Sequence, residues 1–344
     1  MWLEPHVFGG RVERAVIDSR LLTGNPLGDP SRRPVLVYLP PDYDKTDDRY
    51  PTVYVAHGYT VQVDMWLNRP SFLGRNYPEM LDTMFVSREA PPAIVVFVDG
   101  WNRFGGSQFL DSTGTGRYQS FLCDEIVDWV DTRYRTIADR DHRAITGKSS
   151  GGYAAMTAAM MRPDVFGAFA THCGDALFEV GYRAEMPRRA QALRTMYGGS
   201  YEAFLNDLGD REVGSKPDDL ALLSCYAYAA AYSADEDGTV NIPFDEDGLM
   251  VPPVWERWLA WDPVLMATRP RYAEALRSMR GIWIDAGDKD EFFLDLGASA
   301  FRRAVADAGV PDDRVHYEIF PGGHFGIEHR YPPAVSWLCQ LLGR

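Results

Sequence analysis

The sequence predicts an α/β protein built on a doubly wound, mostly parallel sheet, and two patterns lead to that prediction. Short apolar runs of about five to eight residues recur without polar alternation, as in strands buried on both faces of a parallel sheet. Between them lie segments whose apolar residues recur every three to four positions, as in helices that pack one face against a sheet. Strands and helices that alternate in this way are typical of a parallel sheet covered by helices.

The predicted strands comprise an opening pair and a buried series. Residues 12–19 (VERAVIDS) and 34–39 (PVLVYL) are joined by the turn-rich segment GNPLGDPSRR, which predicts an antiparallel pair. The buried runs that follow are residues 52–58, 93–100, 142–147, 166–174, 281–287 and 314–320. The predicted helices between and after them are residues 120–134, 153–161, 292–309 and 333–342.

One segment is much longer than a connection between parallel strands requires. Residues 176–265 fill about ninety positions between the sixth and seventh predicted strands, where a crossover needs only about a dozen or more. Within it, LALLSCYAYAAAY is helical in pattern and TVNIPFDEDGLMVP favours a loop or hairpin. We therefore predict a single domain over residues 1–344, with an insertion at 176–265 that caps the carboxyl edge of the sheet, where α/β proteins bind ligands.

The composition argues against several classes of function. A formal net charge of −14 disfavours binding to nucleic acid or to anionic lipid, both of which attract Lys- and Arg-rich surfaces. The four cysteines form neither a CxxC motif nor a Cys/His cluster at zinc spacing, so we predict free thiols, no metal and no cofactor. No signal-peptide pattern opens the sequence and no apolar run reaches membrane-spanning length, which predicts a soluble cytoplasmic protein. Assembly into a homo-oligomer stays open.

The clearest chemical motif is Gly-Lys-Ser-Ser-Gly-Gly at residues 147–152. It lies directly between a buried strand and a helical run, which is the context of a nucleophile elbow, a sharp turn that exposes a serine in a strained conformation. Glycines flank Ser149 because larger side chains would clash where the backbone doubles back. We predict Ser149 as the nucleophile; Ser150 is the alternative, but it departs from the glycine spacing.

A serine hydroxyl needs a base to take its proton, and the base needs a carboxylate to orient it. After a nucleophile elbow the acid and then the histidine follow in chain order, each on a loop at the carboxyl end of a strand. The loop after the seventh predicted strand is rich in acids (DAGDKDEFF). Asp290 is the predicted acid because it lies three residues past Gly287, far enough to turn back toward a histidine. Asp288 is the alternative, and Asp285, within the strand, is expected to hydrogen-bond locally.

The loop after the eighth predicted strand reads PGGHF and supplies the base. His324 follows two glycines directly before the last helix, at the carboxyl end of its strand. His316 lies in mid-strand and His329 falls on the following helical stretch, so both are weaker candidates. The sequence thus predicts His324 as the general base.

Catalysis by an acyl-enzyme also needs N–H donors that face the oxyanion. The backbone N–H of Ser150, just past the nucleophile, is one predicted donor. The other is the N–H of Tyr59, which follows His57 and Gly58 at the end of the third strand. The alternative for His57-Gly58 is an ordinary strand-ending turn.

Six motifs spread along the chain carry a family resemblance: YLPPDYD, AHGY with the later Trp66, GGSQFLDS, GKSSGGYAA, DAGDKDEFF and PGGHF. They resemble the esterase D family of α/β hydrolases, which includes S-formylglutathione hydrolases, enterochelin-type and feruloyl esterases, and mycobacterial mycolyltransferases. The resemblance implies an α/β-hydrolase fold and the same roles for Ser149, Asp290 and His324, with residues 105–112 at the border of the active-site floor. Two departures are Lys148, where relatives often carry histidine, and Ser150, where many carry methionine.

The pattern therefore predicts a serine carboxylesterase that acts on a small-molecule ester or thioester without a cofactor. The alternatives are an acyltransferase that uses the same three residues and a non-catalytic binding protein of the same fold. Asp175 could touch substrate or cap the next segment. The tryptophans of WERWLAW favour core or lid packing over substrate contact. The candidates for substrate binding are Trp101, Arg103, Ser107, Phe178 and Tyr182.

Overall fold

A computed structural model describes residues 5–71 and 74–343 and contains one eight-stranded sheet. In chain order the strands are β1 (Arg11–Asp18), β2 (Arg32–Leu39), β3 (Thr52–Ala56), β4 (Ile94–Val98), β5 (Asp111–Ser112), β6 (Gly116–Arg117), β7 (Arg143–Lys148), β8 (Ala168–His172), β9 (Gly281–Gly287) and β10 (Val315–Phe320). The sheet order is β1-β2-β4-β3-β7-β8-β9-β10, and β5 and β6 form a separate two-stranded ribbon.

The sheet is parallel except at one side. β1 pairs antiparallel with β2, as predicted, and β2 pairs antiparallel with β4, whereas every other neighbouring pair is parallel. Ala56 lies opposite Val98 on one side and Gly147 on the other. This register brings the ends of β3, β4 and β7 to the same edge, so the loops that follow these strands lie next to one another. The predicted doubly wound, mostly parallel sheet is confirmed.

Helices cover the sheet and fill the long segment between β8 and β9. They are α1 (Tyr77–Val86), α2 (Tyr118–Ser120), α3 (Val127–Arg133), α4 (Ser150–Met161), α5 (Phe178–Gly181), α6 (Met186–Tyr197), α7 (Tyr201–Gly209), α8 (Asp219–Tyr232), α9 (Pro252–Leu259), α10 (Pro263–Ala267), α11 (Pro270–Arg277), α12 (Leu294–Asp307) and α13 (Tyr331–Leu342). No helix within residues 5–71 and 74–343 is long and apolar enough to cross a membrane.

Two details differ from the sequence expectations. β10 is half-exposed along most of its length rather than buried on both faces, because it is the last strand of the sheet and has a neighbour on one side only. The predicted helix at 120–134 is interrupted by a π-helical stretch at Phe121–Ile126, which joins α2 to α3. The stretch contains no proline or glycine that would mark the interruption in the sequence.

The segment between β8 and β9 forms its own hydrophobic cluster, apart from the main core that surrounds the sheet. Trp258 on α9 is fully buried in this cluster, as are Phe178 on α5 and Leu222 on α8. Leu110 and Tyr153, from the body of the fold, join it. The long segment therefore packs as a compact group of helices, and its apolar contacts reach the helix that follows the elbow.

Candidate active site

Ser149 lies in the sharp turn between β7 and α4. Its backbone has φ 57° and ψ −126°, a strained conformation for a residue with a side chain. The flanking glycines make the turn feasible: a Cβ on Gly151 would lie 2.1 Å from the carbonyl oxygen of Ala56, and one on Gly147 would lie 2.4 Å from the carbonyl group of Gly151. The predicted strand–turn–helix geometry of a nucleophile elbow is therefore present at Ser149.

The loop after β3 lies directly against the elbow. A Cβ on Gly58 would lie 3.3 Å from the Lys148 carbonyl oxygen and 3.5 Å from the Ser149 Cβ, which shows how closely this loop approaches the elbow. The buried ring of His57 holds the loop: Nδ1 donates to the Gly58 carbonyl at 2.8 Å and Nε2 accepts from the Gly100 N–H at 2.8 Å. Burial lowers the pKa of His57, which favours the neutral ring that this pair of hydrogen bonds requires.

Two backbone N–H groups are available beside Ser149. Ser150 is the first residue of α4, so its N–H has no partner within the helix. Within the part of the chain that the structure describes, no backbone hydrogen bond uses the N–H of Tyr59. Both residues were expected to supply oxyanion donors, and the close contact of their two loops at Gly58 makes that pairing feasible.

His324 and Asp290 form a buried pair. His324 Nδ1 lies 2.8 Å from Asp290 Oδ2, and the two residues are only 4% and 5% exposed. The other carboxylate oxygen, Oδ1, accepts the N–H groups of Phe292 at 2.9 Å and Leu294 at 3.4 Å. Asp288, the alternative acid, is exposed and accepts instead from the backbone of the histidine loop. The geometry therefore favours Asp290 over Asp288.

The charge state of Asp290 suits an orienting role. Burial alone would raise the pKa of its carboxyl group, but the hydrogen bond and charge of His324 and the two backbone N–H groups lower the pKa below its ordinary value. Asp290 therefore stays ionised beside the imidazole. Glu291 fixes the same loop from outside, because its Oε2 accepts the backbone N–H of His324 at 2.6 Å.

Ser149 and His324 face the same open space. Two cavities, of about 330 Å³ and 580 Å³, meet at this point. The residues that line both are Tyr59, Thr60, Ser149, His324 and Phe325. Among the hydrogen bonds of the described residues, none joins the Ser149 hydroxyl to His324; such bonds are often long in a site without substrate. A carbonyl carbon at Ser149 would have one cavity for each half of an ester.

The substrate-binding candidates divide into one that lines these cavities and four that do not. Tyr182 borders the larger cavity. Arg103 is bound to Asp29, Ser107 is buried with its hydroxyl on the Gly100 carbonyl, and Phe178 is 1% exposed within the aromatic cluster. Trp101 lies outside both cavities, and its carbonyl accepts from Tyr118. Three-dimensional packing of α5 and of the loop after β4 therefore turns four of the five away from Ser149.

Asp175 is a site residue whose role the sequence left open. It is buried in the wall of the larger cavity, and its Oδ2 accepts from Tyr182 at 2.8 Å, from Ser150 Oγ at 3.1 Å and from Gln108 at 3.2 Å. Burial raises the pKa of this carboxyl group, against the effect of those donors. Its position just past the end of β8 was the one available signal, because β8 neighbours the strand that carries Ser149.

One group of side chains has the composition of a metal site. Potential ligand atoms of Cys173, Asp290 and His324 lie within 4.8 Å of one another. Asp290 and His324 are already hydrogen-bonded through these positions, and burial raises the pKa of the Cys173 thiol, which favours a protonated sulfur rather than a thiolate ligand. The arrangement fits a hydrogen-bonded orienting pair better than a metal centre.

The sequence is similar to proteins that are described as esterases. Residues 30–330 match the Esterase family, described as "Putative esterase". An endo-1,4-beta-xylanase/feruloyl esterase of Xylanibacter ruminicola is 28% identical over 139 residues, which are 38% of this chain and 18% of that protein. An esterase of Mycobacterium tuberculosis is 29% identical over 143 residues, 41% of this chain and 29% of that protein. The match thus spans less than a third of the length of these curated relatives.

Solved structures share the fold over nearly the whole chain. A ferulic acid esterase has a TM-score of 0.61 at 19% identity, covering 96% of this chain and 99% of that one. An S-formylglutathione hydrolase from Agrobacterium tumefaciens has a TM-score of 0.58 at 16% identity, covering 98% and 97%. At these identities the likeness establishes the fold of the chain.

Proposed function

The chain belongs to the Esterase family, and on that premise we propose that it is a serine carboxylesterase that cleaves a small-molecule ester or thioester through an acyl-enzyme on Ser149. The proposal rests mainly on one observation: Ser149 and the hydrogen-bonded His324–Asp290 pair lie at the same open space. The strained elbow presents Ser149, and the buried His324–Asp290 pair opens onto the same two cavities.

In the first step the Ser149 oxygen attacks the ester carbonyl carbon while His324 Nε2 takes the hydroxyl proton. Asp290 holds Nδ1 of the ring and stabilises the imidazolium that forms. The carbonyl oxygen gains negative charge, which the N–H groups of Tyr59 and Ser150 stabilise. When the C–O bond breaks, His324 returns its proton to the leaving alcohol, and the acyl group remains on Ser149.

In the second step water replaces the alcohol. His324 takes a proton from water, the hydroxide oxygen attacks the acyl carbon, and the same N–H pair stabilises the new oxyanion. Collapse of this intermediate breaks the bond to Ser149, which recovers its proton from His324 and releases a carboxylic acid. Each group ends in its starting state, and the residues of this chain suffice for both steps.

The segment at 176–265 supports a second part of the proposal, that it acts as a cap. Residues from α5, α6 and α8 line the larger cavity together with Ser149, so the helices of this segment border the space that an ester would enter.

The test is turnover of a panel of para-nitrophenyl, thioester and feruloyl esters by the wild type and by Ser149→Ala. We expect hydrolysis of at least one class by the wild type, and a loss of about 10⁶-fold or more in kcat for the variant, because the nucleophile is gone. Thermal unfolding of both proteins checks that the fold is kept. Addition of acceptor alcohols separates hydrolysis from acyl transfer, since a transferase would form new esters. Turnover that survives in a folded Ser149→Ala would refute the proposal.

A further inference from the structure

The larger cavity contains a buried arginine without a counter-ion. Arg189 on α6 lines the same cavity as Ser149 and is 7% exposed. Its Nε and Nη1 atoms are buried and have no hydrogen-bond partner. Within the described part of the chain, no carboxylate lies within ion-pair distance of it, although Glu185, which lines the same cavity, interacts with it electrostatically.

Apart from Glu185, the named electrostatic neighbours of the Arg189 guanidinium are neutral at ordinary pH. The side chains of Tyr201, Tyr228 and Cys225 interact with it electrostatically, and Tyr59 does so from the loop beside Ser149. Burial raises the pKa of the Cys225 thiol, so this neighbour is not a thiolate counter-ion. The guanidinium therefore keeps its positive charge, and no hydrogen-bonded carboxylate balances it within the described residues.

The other basic residues in the wall of the larger cavity, unlike Arg189, have ion-pair partners. Arg188 is paired with Asp218 at 2.8 Å, and Lys216 is paired with Asp207 at 2.7 Å. The charges of these two side chains are thus already balanced within the protein. Arg189 is unlike them because it has no ion-pair partner among the described residues, and its Nε and Nη1 atoms have no hydrogen-bond partner.

A buried charge without a partner is costly, and buried charges in proteins are therefore normally paired. A ligand with the opposite charge would supply such a partner. Arginine is suited to this role, because its planar N–H donors match the two oxygens of a carboxylate or of a phosphate. The cavity, of about 580 Å³, is large enough for a small organic anion that also reaches Ser149.

We propose that the substrate is an ester that carries a carboxylate or phosphate group, which binds Arg189 while the ester carbonyl lies at Ser149. This inference rests on the proposed esterase function and adds its substrate class. It places the anionic group in the larger cavity and leaves the smaller cavity, which extends past Trp66 and Tyr77, for the other half of the ester.

Matched pairs of esters test the proposal. One pair carries the charge on the acyl side: para-nitrophenyl hemiglutarate and its neutral counterpart para-nitrophenyl valerate. The other carries it on the alcohol side: para-carboxyphenyl acetate and para-acetylphenyl acetate. We expect the wild type to have the higher kcat/KM for the anionic member of one pair, and that pair identifies the half of the ester that enters the larger cavity.

Variants on one helix supply the control. Arg189→Met should lower the ratio of anionic to neutral kcat/KM by at least about tenfold, mainly through KM, because it removes the charge but keeps an apolar side chain of similar length. Arg194→Met changes an exposed arginine on the same helix and should keep the wild-type ratio. Because each ratio is measured within one protein, a partial loss of folded material does not alter it.

The result that would overturn the inference is a wild type with no preference in either pair, or a preference that survives in Arg189→Met. If Arg189→Met does not fold, the wild type alone decides: competitive inhibition of valerate ester hydrolysis by glutarate or by inorganic phosphate supports the inference, and no inhibition by either overturns it. The more effective anion distinguishes a carboxylate from a phosphate substrate.

Neutral esters that turn over without any preference would leave the esterase proposal intact, whereas no turnover of any ester would refute that proposal itself.

Discussion

At the scale of single residues, the difference between Asp288 and Asp290 decides which carboxylate orients His324. The two acids are two positions apart on one loop, yet Asp290 is buried against the imidazole while Asp288 faces solvent. A hydrogen bond to an ionised, buried carboxylate holds the ring in one tautomer, which the exposed acid two residues earlier in the loop cannot do.

We expect Asp290→Asn to lower kcat by roughly 10⁴-fold, because an amide at this position favours the wrong tautomer of the ring. Asp288→Asn should change kcat by less than about threefold, as expected of an exposed acid away from the reacting atoms. Steady-state hydrolysis of one ester by both variants measures the difference. Equal losses would show that Asp290 does not have the orienting role.

Asp175 offers a second test at this scale, through pH. Its three side-chain donors converge on Oδ2, so an asparagine could keep these contacts with its own oxygen. Burial raises the pKa of Asp175 in the folded chain above its unfolded value, so the folded state holds a proton that the unfolded state has released. The free energy of unfolding of the wild type therefore falls as the pH rises from the unfolded pKa of Asp175 toward its folded pKa. Above the folded pKa the loss is complete and no longer grows.

We expect the free energy of unfolding of Asp175→Asn, relative to the wild type, to increase as the pH is raised from about 4 to about 7. The increase should be about 1.4 kcal/mol for each unit by which the folded and unfolded pKa values differ within that range. Urea denaturation of both proteins along a pH series gives the comparison. A difference that stays flat, or that shrinks with rising pH, would mean that Asp175 is ionised without cost.

At the scale of elements, the turn from β7 to α4 depends on backbone contacts that exclude side chains. The carbonyl oxygen of Ala56 occupies the space that a Cβ on Gly151 would need, and it belongs to the strand beside β7. A side chain there would have to push α4 away from β3, and the elbow with it.

We therefore expect Gly151→Ala to lower the free energy of unfolding by about 1–3 kcal/mol and to reduce ester turnover, because the added methyl group displaces the turn that holds Ser149. Gly209→Ala, at the end of α7, meets nothing within 4 Å and should change stability by less than about 1 kcal/mol. Chemical denaturation and kinetics of both variants provide the measurement. A fully stable and active Gly151→Ala would contradict the tight packing of the elbow.

The central strands were predictable from sequence because their runs are apolar on both faces, whereas the burial of the last strand, β10, was overestimated. The elbow was predictable because glycine, serine and the strand–helix context coincide. The insertion was harder. α6 and α7 were missed although the apolar residues of α7 recur at helical spacing (Tyr201, Phe204, Leu205 and Leu208), and α1 was missed although Asn76 and Glu79 form a capping box at its start. The three helices are short, at 10, 12 and 9 residues for α1, α6 and α7, so a window of about 11–18 residues catches little of each pattern.

At the scale of the whole molecule, the site is assembled from parts of the chain that are far apart in sequence. Ser149 follows β7, the His324–Asp290 pair comes from the loops after β10 and β9, and Arg189 comes from the inserted segment. The strand-end residues could be predicted, because parallel strands bring their carboxyl ends to one edge. The role proposed for Arg189 could not be predicted, because it depends on the lack of a hydrogen-bond partner for its Nε and Nη1 atoms, which only the folded structure shows.

The net charge of −14 gives this arrangement a further consequence. An acidic surface repels an anionic substrate at long range, so selectivity for an anion would have to come from short-range contact inside the cavity. The paired state of Arg188 and Lys216 leaves Arg189 as the group in that wall suited to this contact.

The most direct test of the central claim, that Ser149 is the nucleophile of a serine esterase, is covalent labelling with a fluorophosphonate followed by peptide mass spectrometry. The account predicts one label on Ser149, loss of ester turnover in proportion to labelling, and no label on Ser149→Ala. A label on any other residue that accompanies the loss of activity would contradict it, as would ester turnover that continues in an unlabelled protein.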